Sequence, residues 1–539
     1  MKPIQIVDLF AGPGGLGEGF SSLENAFEIA VSAEVDKHAH STLQLRAFFR
    51  LLKRERPDCL NDYYDFCNGK SDIPYSDKTE DLWVRSLKEA RQIKLGSKDG
   101  NAELDDRITS ASIGKNNEDW VLIGGPPCQA YSLVGRARNK GITSYIAEDD
   151  HRHFLYKEYL KIIQTYTPSV FVMENVKGIL SAKVHGRPIF HDILKDLSDP
   201  NKALGKETTG HKYRICSLVS NDSFIYSDDP NDFDARKFII RSEEYGIPQA
   251  RHRVILLGIR EDIETPHGIL EKTTTRSVSE VIEGLPPIRS TLTKQKDSTQ
   301  EWINEVSRHI DDLKHDITQS DQTSLLELIP HLNNAKKQLK LRENPGSLRV
   351  NKRGFKTMSD KTLNNWYQKD GDQLKVWLNH ESKGHMTLDL KRYVYASSFA
   401  KAHRRSPKGH KEFSLKDLAP EHKNWKTGKF SDRFRVQTEE GPSTTVTSHI
   451  SKDGHYFIHP EPSQCRSLTV REAARLQTFP DNYFFQGPRT QQFHQVGNAV
   501  PPLLAYKIAK IVKNIIDRNE PEQSKTEAEF ELSMTQVHD

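Results

Sequence analysis

The sequence predicts an α/β fold on an open, mostly parallel sheet, and three observations carry that expectation. Short β-branched runs recur at Ile4 to Leu9, Glu28 to Ala33, Trp120 to Ile123, Ser169 to Met173, Ile215 to Val219 and Arg253 to Ile259. Most are separated by stretches with helical apolar spacing, such as Phe154 to Ile163, which is the pattern of βαβ units. Glycine-rich turns follow the runs that end at Leu9 and Ile123, the edge where open α/β sheets collect their ligands.

A chain of 539 residues is too long for one core. Residues 1–285 are expected to form the first domain, and residues 286–465 a second, smaller one. Within the second, Ser298 to Leu341 repeats apolar residues at helical spacing (Trp302, Val306, Ile310, Leu313, Ile317), predicting two antiparallel helices in an insert at about 298–345. Lys391 to Arg433 then carries twelve Lys/Arg against four Asp/Glu, interleaved with Tyr393, Tyr395, Phe399, Phe413, Trp425 and Phe430. Charge runs usually face water, but aromatics among cations suggest a surface that tracks phosphates. Thr469 and Glu472 form a capping box that opens a helix ending before Pro480. A proline-started helix follows, with Leu504, Ile508, Ile511, Val512 and Ile515 on its apolar face, so residues 466–518 are expected to rejoin the first domain. Residues 519–539 read as a disordered acidic tail.

Composition narrows the class. A formal charge of +4 does not by itself mark a nucleic-acid binder. Five scattered cysteines without a CxxC pair exclude a disulfide framework and a zinc ribbon, and no metal site is expected. No signal peptide or apolar run of membrane-spanning length is present, so a soluble, cytoplasmic monomer without membrane contact is expected.

Four stretches carry chemistry. "DLFAGPGGLGEGF" holds Gly12-x-Gly14-x-x-Gly17 after a strand, and Glu34 stands 22 residues beyond Gly12, where an acid can accept from a ribose diol. This points to an adenosine-bearing cofactor without separating NAD from S-adenosylmethionine. In "GGPPCQAYS", Cys128 leaves a strand through a turn stiffened by Pro126 and Pro127, a setting suited to a nucleophile. In "FVMENVKG", Glu174 reaches the same crevice, where it suits proton donation or caps the next helix. In "QARHRV", Arg251 and Arg253 alternate on one face and could serve a phosphate, a carbonyl oxygen or an internal ion pair.

The ordered set of glycine turn, PPCQ, ENV, QxRxR, a variable region and "QVGNAV" resembles the DNA (cytosine-5-)-methyltransferase family over nearly the whole chain. That resemblance implies a Rossmann-like S-adenosylmethionine-dependent sheet with a smaller target-recognition domain. It assigns Cys128 as nucleophile toward cytosine carbon 6, Glu174 to ring nitrogen 3 and Arg253 to the 2-carbonyl oxygen, with Arg251 and Gln249 supporting. Asp8, Phe10, Gly12 and Gly15 would surround S-adenosyl-L-methionine, Glu34 would hold its ribose, and Asn498 and Val500 would complete the pocket. Within "GPSTTVTSHI", Thr444, Thr445 and Thr447 are the expected base-side contacts, while Arg404 and Arg405 would meet the backbone of double-stranded DNA. The target cytosine must be flipped out of the duplex to be reached. Asp72, Asp105 and Asp106 all remain open as the acid at the adenine amine. By resemblance the setting is bacterial restriction-modification, with an endonuclease partner acting independently. Alternatives are a tRNA cytosine methyltransferase and a catalytically silent DNA-binding protein on the same fold.

Overall fold

The computed structural model describes residues 2–114, 118–127, 155–184, 187–205, 210–352, 358–369, 371–421, 425, 433–452 and 454–518. A nine-stranded sheet forms the centre. Its strands are β1 (Ile4–Leu9), β2 (Phe27–Glu34), β3 (Ala90–Gln92), β4 (Trp120–Gly124), β5 (Val170–Val176), β6 (Tyr213–Cys216), β7 (Ser223–Phe224) and β8 (Ile239–Arg241). The short β9 (Gln249–Ala250) lies outside the sheet, and β10 (His252–Arg260) completes it. The strand order is β3–β2–β1–β4–β5–β10–β6–β7, with β8 beside β10.

The expectation of a mostly parallel sheet holds only from β3 to β5. Strand β10 runs antiparallel to β5, β6 and β8, and β6 antiparallel to β7. The expected strand at Ile215 to Val219 sits earlier, at Tyr213–Cys216. Strand β3 carries too few residues for an alternation to be read.

Helices α1 (Gly15–Ser21), α2 (Lys37–Glu55), α3 (Lys98–Ser110) and α4 (Leu155–Tyr166) belong to the sheet half. Period-two alternation sends Ile6 into one core with Leu16 and Phe20, and Val7 and Leu9 into the other with Leu104, Ile108 and Leu160. Both faces are therefore covered, which is why β4 is buried throughout.

A separate core gathers α5 (Thr299–Thr318), α6 (Ile329–Gln338) and α7 (Thr387–His403). The predicted stripe Trp302, Val306, Ile310, Leu313 and Ile317 is buried there. Tyr393, Tyr395, Phe399, Phe413 and Trp425 fill the same core, so the aromatics of the basic stretch are packing residues and not a stacking platform; Phe430 lies outside the described residues. Several of the cations among them are paired: Lys391 with Asp316 and Asp417, Arg392 with Asp389, Lys401 with Glu439 and Arg405 with Glu412. Between these helices, Met358, Leu363, Trp366 and Tyr367 join the core under the sheet.

The C-terminal part supplies α8 (Val470–Leu476), α9 (Arg489–Asn498) and α10 (Pro502–Ile516). Helix α10 docks on α1 at backbone contact: a Cβ on Gly19 would lie 2.3 Å from Ala505 Cβ and 2.5 Å from the Pro502 carbonyl oxygen. The capping box of α8 forms, Thr469 accepting from the Glu472 amide while the Glu472 carboxylate accepts from the Thr469 amide. That carboxylate also receives two bonds from Arg466, at 2.6 and 2.7 Å, inside the core. Among the described residues no helix is long and apolar enough to cross a membrane.

Two outcomes follow from these contacts. Gly19→Ala is expected to lose about 1–3 kcal/mol by overpacking, read as a lower urea midpoint at unchanged slope. Burial pushes the Glu472 carboxyl up, but the Arg466 guanidinium outweighs it and holds the group well below the ordinary carboxylate range. A depressed folded-state pKa means this stabilisation is fully present above about pH 4.3 and disappears as pH falls toward the folded value. Glu472→Gln should flatten that acid limb of an unfolding titration. It should also cost about 3–5 kcal/mol at neutral pH, because Arg466 is left buried without its counter-charge.

Candidate active site

The glycine turn begins where β1 leaves the sheet. Phe10 has φ 57, the left-handed region that non-glycine residues rarely adopt, which marks a constrained turn. Gly12, at φ 57, takes the same form, and a Cβ built on it meets nothing within 4 Å, so the loop opens to free space there. Its amide donates to Glu34 Oε2 at 2.8 Å, while Glu34 Oε1 accepts from the Val35 and Asp36 amides at 2.8 and 2.7 Å. The first bond ties the loop to the end of β2, and the other two fix the Glu34 carboxylate against the turn that follows that strand. A carboxylate has about four acceptor positions, so Glu34 keeps one on Oε2. Burial lifts the Glu34 carboxyl above its ordinary value.

The remaining glycines serve packing. A Cβ on Gly15 would lie 2.2 Å from the Val500 carbonyl oxygen, so this glycine, expected at the cofactor, is required by the approach of the C-terminal segment. Val500 is buried and Asn498 exposed. Asp8 is 1% exposed, and neither carboxylate oxygen bonds another described residue. Burial raises its pKa well above normal. The open face of Gly12, the spare acceptor of Glu34 and the orphaned Asp8 carboxyl fit a polar cofactor. Asp105 and Asp106 lie within α3, where Asp105 accepts from the Tyr166 hydroxyl at 3.1 Å, and Asp72 is exposed in a loop; none stands at a strand end.

The neighbouring strands deliver the second group. Strand β4 ends in Gly124 and runs into Gly125 and Pro126, and the Asn175 side chain donates to the Pro126 carbonyl at 3.3 Å. Cys128, two residues on, lies outside the described residues. Glu174 near the end of β5 faces Arg253 at the start of β10, with Nε and Oε1 2.8 Å apart and each side chain 13% exposed. Among the described residues the Nε group makes no aligned hydrogen bond, so the pair with Glu174 is held by charge and not by a directional bond. Glu174 Oε2 lies 3.1 Å from where a Cβ on Gly125 would stand. Only a residue without a side chain leaves that carboxylate open beside the PPCQ turn.

Gln249 and Arg251 do not face the cleft. Gln249 is fully buried, accepts from the Val446 amide at 2.8 Å and donates to the Leu476 carbonyl at 3.2 Å. Arg251, 1% exposed, donates to the Val446 carbonyl at 2.8 Å and the Gly497 carbonyl at 3.1 Å. Burial, then repulsion from Arg253, drives its pKa well below the usual guanidinium value, with Glu174 opposing. Both side chains join the segment leading into β10 to the segments at Val446, Leu476 and Gly497. Strand β9 also pairs in parallel with β11 (Ser443–Thr444), and the Thr445 hydroxyl donates to the Ala250 carbonyl at 2.7 Å. Thr444 bonds Gln437, so the hydroxyls of Thr444 and Thr445 are held by protein partners while Thr447 is half-buried at the following turn. Arg404 is exposed beside Glu440. None of this knot is visible in sequence spacing, since its partners lie about 200 residues apart.

Comparisons with known proteins bear on the family of the chain. The model of the C-5 cytosine-specific DNA methylases matches residues 99–201 and 229–514. The chain belongs to that family. Among relatives of this methylase, the type II methyltransferase M.Bpa9945I of Bacillus paralicheniformis is 31% identical over 531 residues, covering 95% of this chain and 99% of that protein. The type II methyltransferase M.AgeI of Thalassovita gelatinovora is 25% identical over 528 residues, covering 95% and 99%. A methylase of this family draws its methyl group from S-adenosylmethionine.

The glycine of "QVGNAV" now has a reason: a Cβ on Gly497 would stand 2.3 Å from the Ser448 amide nitrogen and from the Thr447 carbonyl carbon. Gly497→Ala should therefore lower stability by about 1–3 kcal/mol and speed hydrogen exchange in residues 443–448. Gly441→Ala, whose Cβ meets nothing within 4 Å, should do neither.

Proposed function

We propose that the protein methylates carbon 5 of a flipped-out cytosine in a specific duplex DNA sequence through a covalent Cys128 adduct. The observation that carries this reading is the Glu174–Arg253 pair at the sheet edge, next to the turn that leads to Cys128. Cytosine is a weak electrophile, so thiolate addition needs its developing charge stabilised at both the ring nitrogen and the carbonyl oxygen. A carboxyl and a guanidinium held by charge alone can each turn toward one of those atoms.

In the proposed cycle the Cys128 thiolate adds to carbon 6 and saturates the 5,6 double bond. Glu174 holds a proton at ring nitrogen 3, and Arg253 donates to the 2-carbonyl oxygen. When bound, S-adenosylmethionine supplies an electrophilic methyl group, with Asp8, Phe10, Gly12, Glu34, Asn498 and Val500 as its candidate holders. Loss of the carbon 5 proton and expulsion of the Cys128 thiolate restore the aromatic ring. Gln249 and Arg251 keep Arg253 and the segment 443–447 in register, and Thr447 is the remaining candidate for a base-side contact. The relatives' description as type II methyltransferases supports a restriction-modification setting, with an endonuclease acting separately.

Duplex DNA containing 5-fluorocytosine tests the covalent step, because fluorine blocks the final elimination. Wild type is expected to form a denaturant-resistant adduct that Cys128→Ala abolishes; absence of the adduct, or its persistence in Cys128→Ala, contradicts the mechanism. Glu174→Gln and Arg253→Lys should each slow single-turnover methyl transfer by about 10²–10³-fold.

A further inference from the structure

Five described cations of the stretch 391–433, Lys391, Arg392, Lys401, Arg404 and Arg405, are held in ion pairs, which leaves open where the recognition unit holds the DNA backbone. A cavity of about 270 Å³ answers this. Three cations line it, Lys383, Arg433 and Lys452, together with His385, His455 and Asp389. The acid is already compensated, since Arg392 donates to Asp389 at 2.8 Å. The histidines add no negative charge: His385, pulled by burial down to about 3, is neutral at physiological pH, and His455 bonds the Tyr393 hydroxyl at 2.8 Å. Among the described lining residues, three cations stand against one acid.

Its place in the fold selects the ligand. The Lys383 ammonium donates to the carbonyls of Ile450 and Ser451, fastening the cavity wall to the turn Ser448–Ser451 that directly follows Thr447. That turn is a single 3₁₀ segment rising about 2 Å per residue, so Lys452 stands about 8–10 Å beyond Thr447. Two to three base-pair steps at about 3.4 Å span the same distance along one strand. Lys452 is exposed, and it forms no ion pair with any described residue.

We propose that this cavity seats a phosphodiester of the DNA backbone, two to three steps from the bases that the 444–447 segment faces, with Lys452 as its exposed cation. The inference rests on the reading of the protein as a duplex DNA methylase. One phosphate contact contributes about 0.9 to the slope of log affinity against log salt.

Full-length wild type, Lys452→Gln and Lys452→Arg should be titrated with a mixed-sequence duplex by fluorescence anisotropy between 50 and 200 mM salt, values set on the scale over which such slopes are read. The expected result is a slope shallower by about 0.9 for Lys452→Gln and restored in Lys452→Arg. A slope for Lys452→Gln equal to that of wild type overturns the cavity assignment while leaving the methylase reading intact. Wild type without salt-dependent duplex binding overturns both. In a second arm, inorganic phosphate is titrated calorimetrically: binding lost in Lys452→Gln without any change in DNA slope assigns the cavity to a free anion and overturns the backbone assignment.

Discussion

The buried guanidinium of Arg251 is the joint on which the site depends. It donates to carbonyls of two segments, Val446 and Gly497, that lie 195 and 246 residues away in the chain. Among the described residues no carboxylate bonds it, and its Nε has no hydrogen-bond partner. A buried charge held only by carbonyl dipoles is an expensive arrangement, and any movement of either segment leaves it worse satisfied. The arrangement is therefore stiff. Gln249 reinforces it from two residues away by bonding the Val446 amide and the Leu476 carbonyl. Through these two side chains the recognition segment, the end of α9 and the start of β10 occupy fixed positions relative to one another.

The Glu174–Arg253 ion pair follows from sheet direction. Because β10 runs antiparallel to β5, the first residues of β10 lie beside the last residues of β5, with Arg253 opposite Val176 and Ile255 opposite Glu174. In a parallel arrangement Arg253 would begin its strand at the far edge of the sheet. The reversal thus brings a motif from the start of a strand to the edge where β1, β4 and β5 end. The cofactor candidates obey the same geometry, with Gly12 fixed to Glu34 across the ends of β1 and β2.

Much of this was legible in the sequence, for reasons that differ from residue to residue. Strand β4 is legible because both faces are buried and its apolar run is unbroken, and β1 because its apolar residues lead directly into the glycine turn. The capping box at Thr469 and Glu472 is a local code, and local codes survive folding. The direction of β10 was not legible, because β-branched runs carry no information about pairing partners. The aromatics at 393–425 were misread for a related reason: interleaved cations and rings look alike in a nucleic-acid surface and in a helix core whose charges pair at its rim. Gly15 is expected from the sequence at the cofactor, yet its missing Cβ makes room for the backbone of Val500, and the missing Cβ of Gly497 makes room for Thr447–Ser448. Of the fingerprint glycines Gly12, Gly14 and Gly17, it is at Gly12 that a Cβ would meet no described atom within 4 Å.

The central claim is that one cleft, held in register by Arg251, methylates cytosine at a chosen sequence. Bisulfite sequencing of plasmid DNA from cells expressing wild type or Arg251→Lys tests it directly. The account predicts cytosines protected in one recurrent context by wild type, and a smaller protected fraction in that same context for Arg251→Lys, whose single ammonium replaces a two-armed donor. No protected cytosines with wild type, or protection by Arg251→Lys equal to wild type, would contradict it.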